Sequence, residues 1–230
     1  CGPVVFKLRD GFYNVQESIG EIMGTSDVNT VTFTSESNDS TMVIWTYTPN
    51  STDNYTVYLD GCDYVVFDKL TLKAVGLTYA SVVKIGNNAS HNVIQNCIIE
   101  GSTELSSSSN LSLAYASGSG ISDNIFNNNT FTNGSYGIYY YASSTVTGVE
   151  VINNTFNSQY DIGIYGRYTD GIRISNNEIS NLSTAYTSGK GIYLYYCDQD
   201  IEITKNKIDL NVGTGVYLYY CTAGSTNRGL

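Results

Sequence analysis

Charge, proline and histidine are all scarce in this chain, and each shortage removes a class of explanation. Charged residues make up only 14% of its 230 positions, yet the formal net charge is −10. An acidic chain with no basic patch repels nucleic acid and anionic membranes, so neither is an expected partner. No apolar run approaches the roughly 20 residues that a membrane-spanning helix needs. Any Ser-His-Asp or Cys-His mechanism would have to pass through His91, the one histidine. That residue aligns with Val149 at a coil start, where a turn role is the favoured reading. The five cysteines contain no Cys-x-x-Cys pair, so no metal or redox cofactor is expected. With no initiator Met or signal segment, the sequence reads as a processed chain or an excerpt. A lipid-bearing Cys1 is the less favoured alternative.

What the chain does have is 21 tyrosines and abundant Val, Ile, Thr and Asn, against only two prolines. That composition favours strands and turns over helices. One phrase recurs: Gly137-Ile138-Tyr139, Gly163-Ile164-Tyr165, Gly191-Ile192-Tyr193 and Gly215-Val216-Tyr217, with starts 26, 28 and 24 residues apart. Periods of about 20–50 residues are the mark of a solenoid or array. The expected fold is therefore all-β, a right-handed parallel β-helix of about eight coils. It forms a single domain over 1–230, with less regular coils over 1–56, regular repeats over 57–221 and a tail over 222–230.

Aligning the repeats gives columns. Val57, Val83, Ala114, Ile138, Ile164, Ile192 and Val216 form an aliphatic column, and Tyr58, Lys84, Tyr115, Tyr139, Tyr165, Tyr193 and Tyr217 stand one residue on. Period-two alternation turns the first inward and the second outward. A second outward column reads Asp60, Gly86, Ser117, Tyr141, Arg167, Tyr195 and Tyr219. Between repeats, Asp68, Asn96, Asn129, Asn154, Asn177 and Asn206 stand two residues before Leu70, Ile98, Phe131, Phe156, Ile179 and Ile208. These polar residues are expected to face inward at a bend and form an amide ladder, with Asp68 near its end. Loops are expected to bulge over Ser102 to Ser112 and Ser183 to Lys190.

The Asn-Asn-Thr-Phe and Gly-Ile-Tyr columns resemble the right-handed β-helices of the pectin-lyase-like superfamily over Val57 to Cys221. A narrower likeness rests on Cys1-Gly2-Pro3-Val4-Val5-Phe6, Gly11-Phe12-Tyr13, Asn29-Thr30-Val31-Thr32-Phe33 and Asp63-Tyr64-Val65-Val66-Phe67. These are similar to β-helix modules of large secreted bacterial surface proteins exported by the type IX system. That resemblance implies an extracellular, adhesive or structural module that is not an enzyme. Its partners would be neighbouring modules of a longer chain. It also brings in Asp39-Ser40-Thr41, which fits an O-glycosylation pattern of such bacteria at Ser40.

Functional candidates follow from the outward positions. Tyr58, Tyr115, Tyr139, Tyr141, Tyr165, Arg167, Tyr193, Tyr195, Tyr217 and Tyr219 make an aromatic face suited to stacking on sugars or anchoring a partner. The bland reading is that tyrosine suits sheet surfaces and stacks on itself. Glu150, Arg173 and Glu202 align with alternating sign, as ion pairs or as a lyase-like Arg with nearby carboxylates. The alternative function is therefore a polysaccharide lyase or hydrolase on the same scaffold. Open strand edges at the ends also permit end-to-end self-stacking into a filament. Cys197 and Cys221 occupy equivalent places one coil apart, close enough for a disulfide or a reduced stacked pair. Nine Asn-x-Ser/Thr sequons mark Asn38, Asn50, Asn54, Asn88, Asn110, Asn128, Asn133, Asn153 and Asn181 as glycosylation candidates.

Overall fold

Every strand pairing among the described residues is parallel, and each joins a strand to its equivalent in the next turn of the chain. The computed structural model describes residues 2–180 and 187–222. Cys1, Asn181 and nearly all of the tail lie outside the described residues. Three sheets of eight strands run the length of the molecule. The first extends from strand Val4–Leu8 to Glu202–Thr204, the second from Gly11–Asn14 to Lys207–Asp209, and the third from Glu17–Ile19 to Thr214–Tyr219. Consecutive strands fall on the three sheets in rotation, so each set of three makes one coil and there are eight coils. The rest of the coil supplies the crossover that parallel pairing requires.

The register of the third sheet reproduces the aligned phrases. Tyr139 pairs with Tyr165, Tyr165 with Tyr193 and Tyr193 with Tyr217, each flanked by its aliphatic neighbour. Ile138, Ile164 and Ile192 are fully buried, whereas Val216 in the last coil is 42% exposed. The glycine that opens the phrase has a packing reason. A Cβ on Gly137, Gly163 or Gly191 would lie 2.6–2.7 Å from the carbonyl oxygen of the next glycine in the column. No side chain fits there.

Aromatic and aliphatic side chains fill the tube. Phe131 stacks on Phe156 with centroids 4.7 Å apart, and Phe33 stacks between Phe6 and Phe67 at 5.1 and 5.3 Å. Among the described residues, Tyr140 is the one tyrosine turned fully inward, where its hydroxyl bonds Asn124 and the Ile121 carbonyl.

At the bend between the first and second sheets, Asn129, Asn154, Asn177 and Asn206 form a ladder. The Oδ1 atoms of Asn154, Asn177 and Asn206 each accept the backbone N–H of the asparagine one coil earlier at 2.9 Å and its Nδ2 at 2.9–3.1 Å. Each Nδ2 also reaches a main-chain carbonyl at 2.8–2.9 Å. Such groups would cost about 1–3 kcal/mol apiece if buried unpaired.

Asp68 and Asn96 do not belong to this ladder. Ile99 pairs with Phe131 and with Leu72, which puts Cys97 and Leu70 in register with Asn129. Asn96 instead takes the left-handed turn position with Asn128, Asn153 and Asn176, at φ of 54–58°. Asparagine tolerates that conformation better than most residues. The Asn-Asn doublet therefore combines one turn residue and one ladder residue. Cys97 stands in for the amide, its thiol facing the Phe67 carbonyl at 3.7 Å while its N–H donates to Asn129 Oδ1 at 2.9 Å.

A second, shorter ladder lies where the chain enters the first sheet. Asn92 and Asn124 are both buried, and Asn92 Nδ2 donates to Asn124 Oδ1 at 3.1 Å. The preceding residues, His91 and Asp123, share a left-handed φ of 56° with Gly148 next in the column at 68°. His91 thus aligns with Gly148, not with Val149.

Cys197 and Cys221 are free thiols and not a disulfide. Each points at a carbonyl of the preceding coil, Cys197 at Gly166 and Cys221 at Leu194, both 3.5 Å away.

Candidate functional site

The tyrosines of the third sheet gather on its outer face. Ring centroids along the first column are 5.4 Å apart for Tyr115–Tyr139, 4.9 Å for Tyr139–Tyr165, 5.2 Å for Tyr165–Tyr193 and 5.1 Å for Tyr193–Tyr217. Those separations follow the strand spacing of about 4.8 Å. Tyr58 begins the column beyond Lys84, whose ammonium lies 4.4 Å from the Tyr58 centroid. Between the columns Tyr139 stacks on Tyr141 at 5.8 Å, and within the second column, two rungs beyond Tyr141, Tyr195 stacks on Tyr219 at 5.4 Å. Arg167 fills the rung between them, its guanidinium carbon 4.3 Å from the Tyr141 centroid and 5.6 Å from that of Tyr195.

A third column escapes the simple alternation. Tyr168, Tyr196 and Tyr220 stack at 5.5 and 5.0 Å. All three have left-handed φ of 51–54°, where the chain turns out of the third sheet. The repeated Tyr195-Tyr196-Cys197 and Tyr219-Tyr220-Cys221 carried this signal in the sequence.

Exposure along the face is uneven. Tyr165, in mid-column, is only 8% exposed because Tyr139, Tyr193 and Tyr136 surround its ring. Burial raises its phenol pKa, and those of Tyr139 and Tyr193, while Tyr58 is pushed up to about 12, mainly by burial and then by the charge of Asp60. These four rings are therefore neutral throughout the ordinary pH range. Such rings can stack on apolar sugar faces and donate from their hydroxyls.

At the edge of the face sits Asp161, 6% exposed. Burial raises its pKa, opposed by a hydrogen bond with Tyr136 and by the charge of Lys190. A carboxyl group of raised pKa beside a phenol and an ammonium is chemically suited to proton transfer.

The other polar groups are occupied. Arg173 bridges Glu150 and Glu202 on the first sheet, at 3.5 Å to each. Asp170 and Asp198 each accept a backbone N–H at a turn. Near the first-sheet corner, His91 Nδ1 lies 2.9 Å from Ser90 Oγ and its Nε2 3.6 Å from Asp123. The Ser90 hydroxyl donates to Asp63 at 2.9 Å, so its proton is directed away from the imidazole. Among the described residues, no three His, Cys, Asp or Glu side chains converge as a metal site.

The glycosylation candidates divide by exposure. Asn38, Asn50, Asn88, Asn128 and Asn153 are exposed, whereas Ser40, Asn54, Asn110 and Asn133 are half-buried. The amide nitrogens of Asn128 and Asn153 already donate to Asn96 at 2.7 Å and Asn127 at 2.9 Å.

The right handed beta helix region family matches residues 88–228, more than half of the chain. The chain belongs to the right-handed β-helix family. No curated protein matches its sequence. An alginate lyase from Paenibacillus sp. str. FPU-7 superposes with a TM-score of 0.52 at 13% identity, covering 96% of this chain and 93% of that one. Pectin methylesterase PemA from Erwinia chrysanthemi covers 99% and 82% at 9% identity, with a TM-score of 0.46. These likenesses concern the β-helix fold. The alginate lyase likeness also corrects the expectation that the chain is not an enzyme. The fold that suggested a purely structural module is shared, almost end to end, with a polysaccharide lyase, so it gives no ground for setting catalysis aside.

Proposed function

We propose that this β-helix engages polysaccharide along the outer face of its third sheet, in an extracellular setting. The observation that carries the reading is the row of stacked rings from Tyr115 to Tyr217, continued by Tyr141, Tyr195 and Tyr219. An extended sugar chain laid along the helix axis meets a fresh ring at each coil. The rings are held by their neighbours and lose little freedom on binding, which favours affinity.

A second reading, turnover of the bound chain, rests on Asp161, the buried carboxyl group beside Tyr136 and Lys190 at the margin of the same face. Both readings are tested together. Wild type and the Tyr193→Ala/Tyr195→Ala double variant are applied to a glycan array. The same polysaccharides are incubated with each protein and scored for reducing ends and unsaturated products. Binding by wild type that the double variant loses supports the face. Product release that Asp161→Asn abolishes supports turnover. Equal binding by both proteins, or none by either, removes the tyrosines from the account.

A further inference from the structure

The cations of this chain are distributed in two ways. On the first two sheets three strand cations are paired with carboxylates: Arg173 with Glu150 and Glu202, Lys73 with Glu100 at 2.7 Å, and Lys207 with Glu178 at 2.6 Å. On the third sheet they lie on tyrosine rings instead. Lys84 lies over Tyr58 and Tyr55, Arg167 over Tyr141 and Tyr168, and Lys190 over Tyr193 and Tyr217. No ion pair joins any of these three to a carboxylate among the described residues. The Arg167 Nε is buried with no hydrogen-bond partner, and the one side-chain bond of its guanidinium is a long 3.4 Å contact with the Tyr168 hydroxyl. Of the strand residues facing outward on this sheet, Asp60 is the only carboxylate among those described. In a chain of net charge −10, the aromatic face thus carries three cations held on rings rather than on carboxylates.

The spacing of these charges is informative. Lys84 and Arg167 are separated along the helix axis by the uncharged rungs of Tyr115 and Tyr139, three strand spacings or roughly 14 Å, and Lys190 lies one coil beyond Arg167. A polymer with a carboxylate on every sugar would place charges over the bare rungs of Tyr115 and Tyr139, within the field of an acidic protein. From this charge pattern we infer that the ligand of the tyrosine face is a sparsely charged acidic heteropolysaccharide. Its neutral sugars stack on the tyrosines, and an occasional carboxylate is received by the Arg167 guanidinium. A planar guanidinium suits a carboxylate, which would form charge-assisted bonds with its terminal nitrogens, since Nε is buried. Single-stranded nucleic acid also uses rings and cations, but it carries a phosphate on every unit and meets the same repulsion.

The inference rests on the proposed engagement of sugar by the tyrosines, and the test separates the two. Fragments of gellan, with one carboxylate per tetrasaccharide repeat, are titrated against the full chain by calorimetry. Carboxyl-reduced gellan, polygalacturonate and oligo-dT serve as the other probes. Wild type is expected to bind gellan at least tenfold more tightly than the reduced polymer or polygalacturonate. Arg167→Gln should lose that tenfold preference while still binding reduced gellan, and Arg167→Lys should recover part of it. Thermal unfolding of each variant checks that the fold is intact, and Lys84→Gln provides an independent reduction of positive charge. Equal binding of gellan and its reduced form, unmoved by Arg167→Gln, would overturn the inference and leave the tyrosine face standing. Tighter binding of polygalacturonate or oligo-dT would overturn it as well. Binding of no sugar would remove both.

Discussion

Asn154 is donor and acceptor at once between Asn129 and Asn177. Its Oδ1 takes two N–H groups from Asn129, at 2.9 and 3.1 Å, and its Nδ2 donates to Asn177 Oδ1 at 3.1 Å and to the Phe126 carbonyl at 2.9 Å. Replacing it strands partners on both sides. Asn154→Ala is expected to cost about 3 kcal/mol, and Asn206→Ala, at the half-buried end, about 1 kcal/mol. Urea unfolding followed by circular dichroism measures both, and similar small losses would show that the ladder is dispensable.

Cys97 tests the same ladder from the opposite direction. Its thiol occupies the place of an amide and faces the carbonyl that an asparagine would use. Cys97→Asn should therefore be tolerated within about 1 kcal/mol, whereas Cys97→Asp, a buried charge, should cost several kcal/mol. The reverse order in the same urea titration would refute the register described for this coil.

Thiol chemistry should follow burial. Burial pushes the pKa values of Cys62 and Cys97 up to about 12, and Cys197 is also raised and buried. Cys221 in the last coil is half-exposed. In the native protein, peptide mapping after brief alkylation at neutral pH should find Cys221 modified and the other three protected until denaturant is added. Rapid labelling of Cys97 would mean that the tube opens there.

The tyrosine face implies alkaline sensitivity. Tyr139, Tyr165 and Tyr193 have raised folded pKa values, with burial the leading cause. Above the ordinary phenol value of about 10 the unfolded chain releases these protons first, so it binds fewer protons than the native state and stability falls as pH rises. Their contribution is fully present below about pH 10. Melting temperature should drop steeply from pH 10 upward, and less so in Tyr193→Phe.

Glu17 breaks the inward pattern at one end. It is in register with Val57, yet it carries a charge where the later coils carry Val, Ala or Ile. With Leu8, Tyr13, Phe33 and Trp45 it lines an open cavity of about 370 Å³. Inward charge on a terminal strand opposes edge-to-edge pairing. Glu17→Val should therefore promote concentration-dependent association in light scattering, with wild type unaffected. No difference between the two proteins would show that Glu17 does not guard this edge.

Much of the architecture was readable because its signals repeat. The Gly-Ile-Tyr phrase establishes one strand of four coils, and alternation alone turns Ile192 inward and Tyr193 outward. The ladder was readable where a single apolar residue follows the asparagine pair, as at Asn153-Asn154-Thr155-Phe156. It slipped by one at Asn96, because Ile98 and Ile99 are both apolar and either could be the inward residue. A one-residue slip turns every side chain to the other face. The third tyrosine column was missed for a different reason. Tyr168, Tyr196 and Tyr220 sit in left-handed turns, where strand alternation does not apply. The unpaired state of Arg167 has no sequence signal, since it depends on which carboxylates the coils bring near.

Hydroxyl-radical footprinting of the tyrosines, with and without the polysaccharide that binds, tests the central claim most directly. The account predicts protection concentrated at Tyr139, Tyr193, Tyr195, Tyr217 and Tyr219, with Tyr13 and Tyr47 on the second sheet unchanged. Protection elsewhere, or uniform labelling in both states, would contradict it.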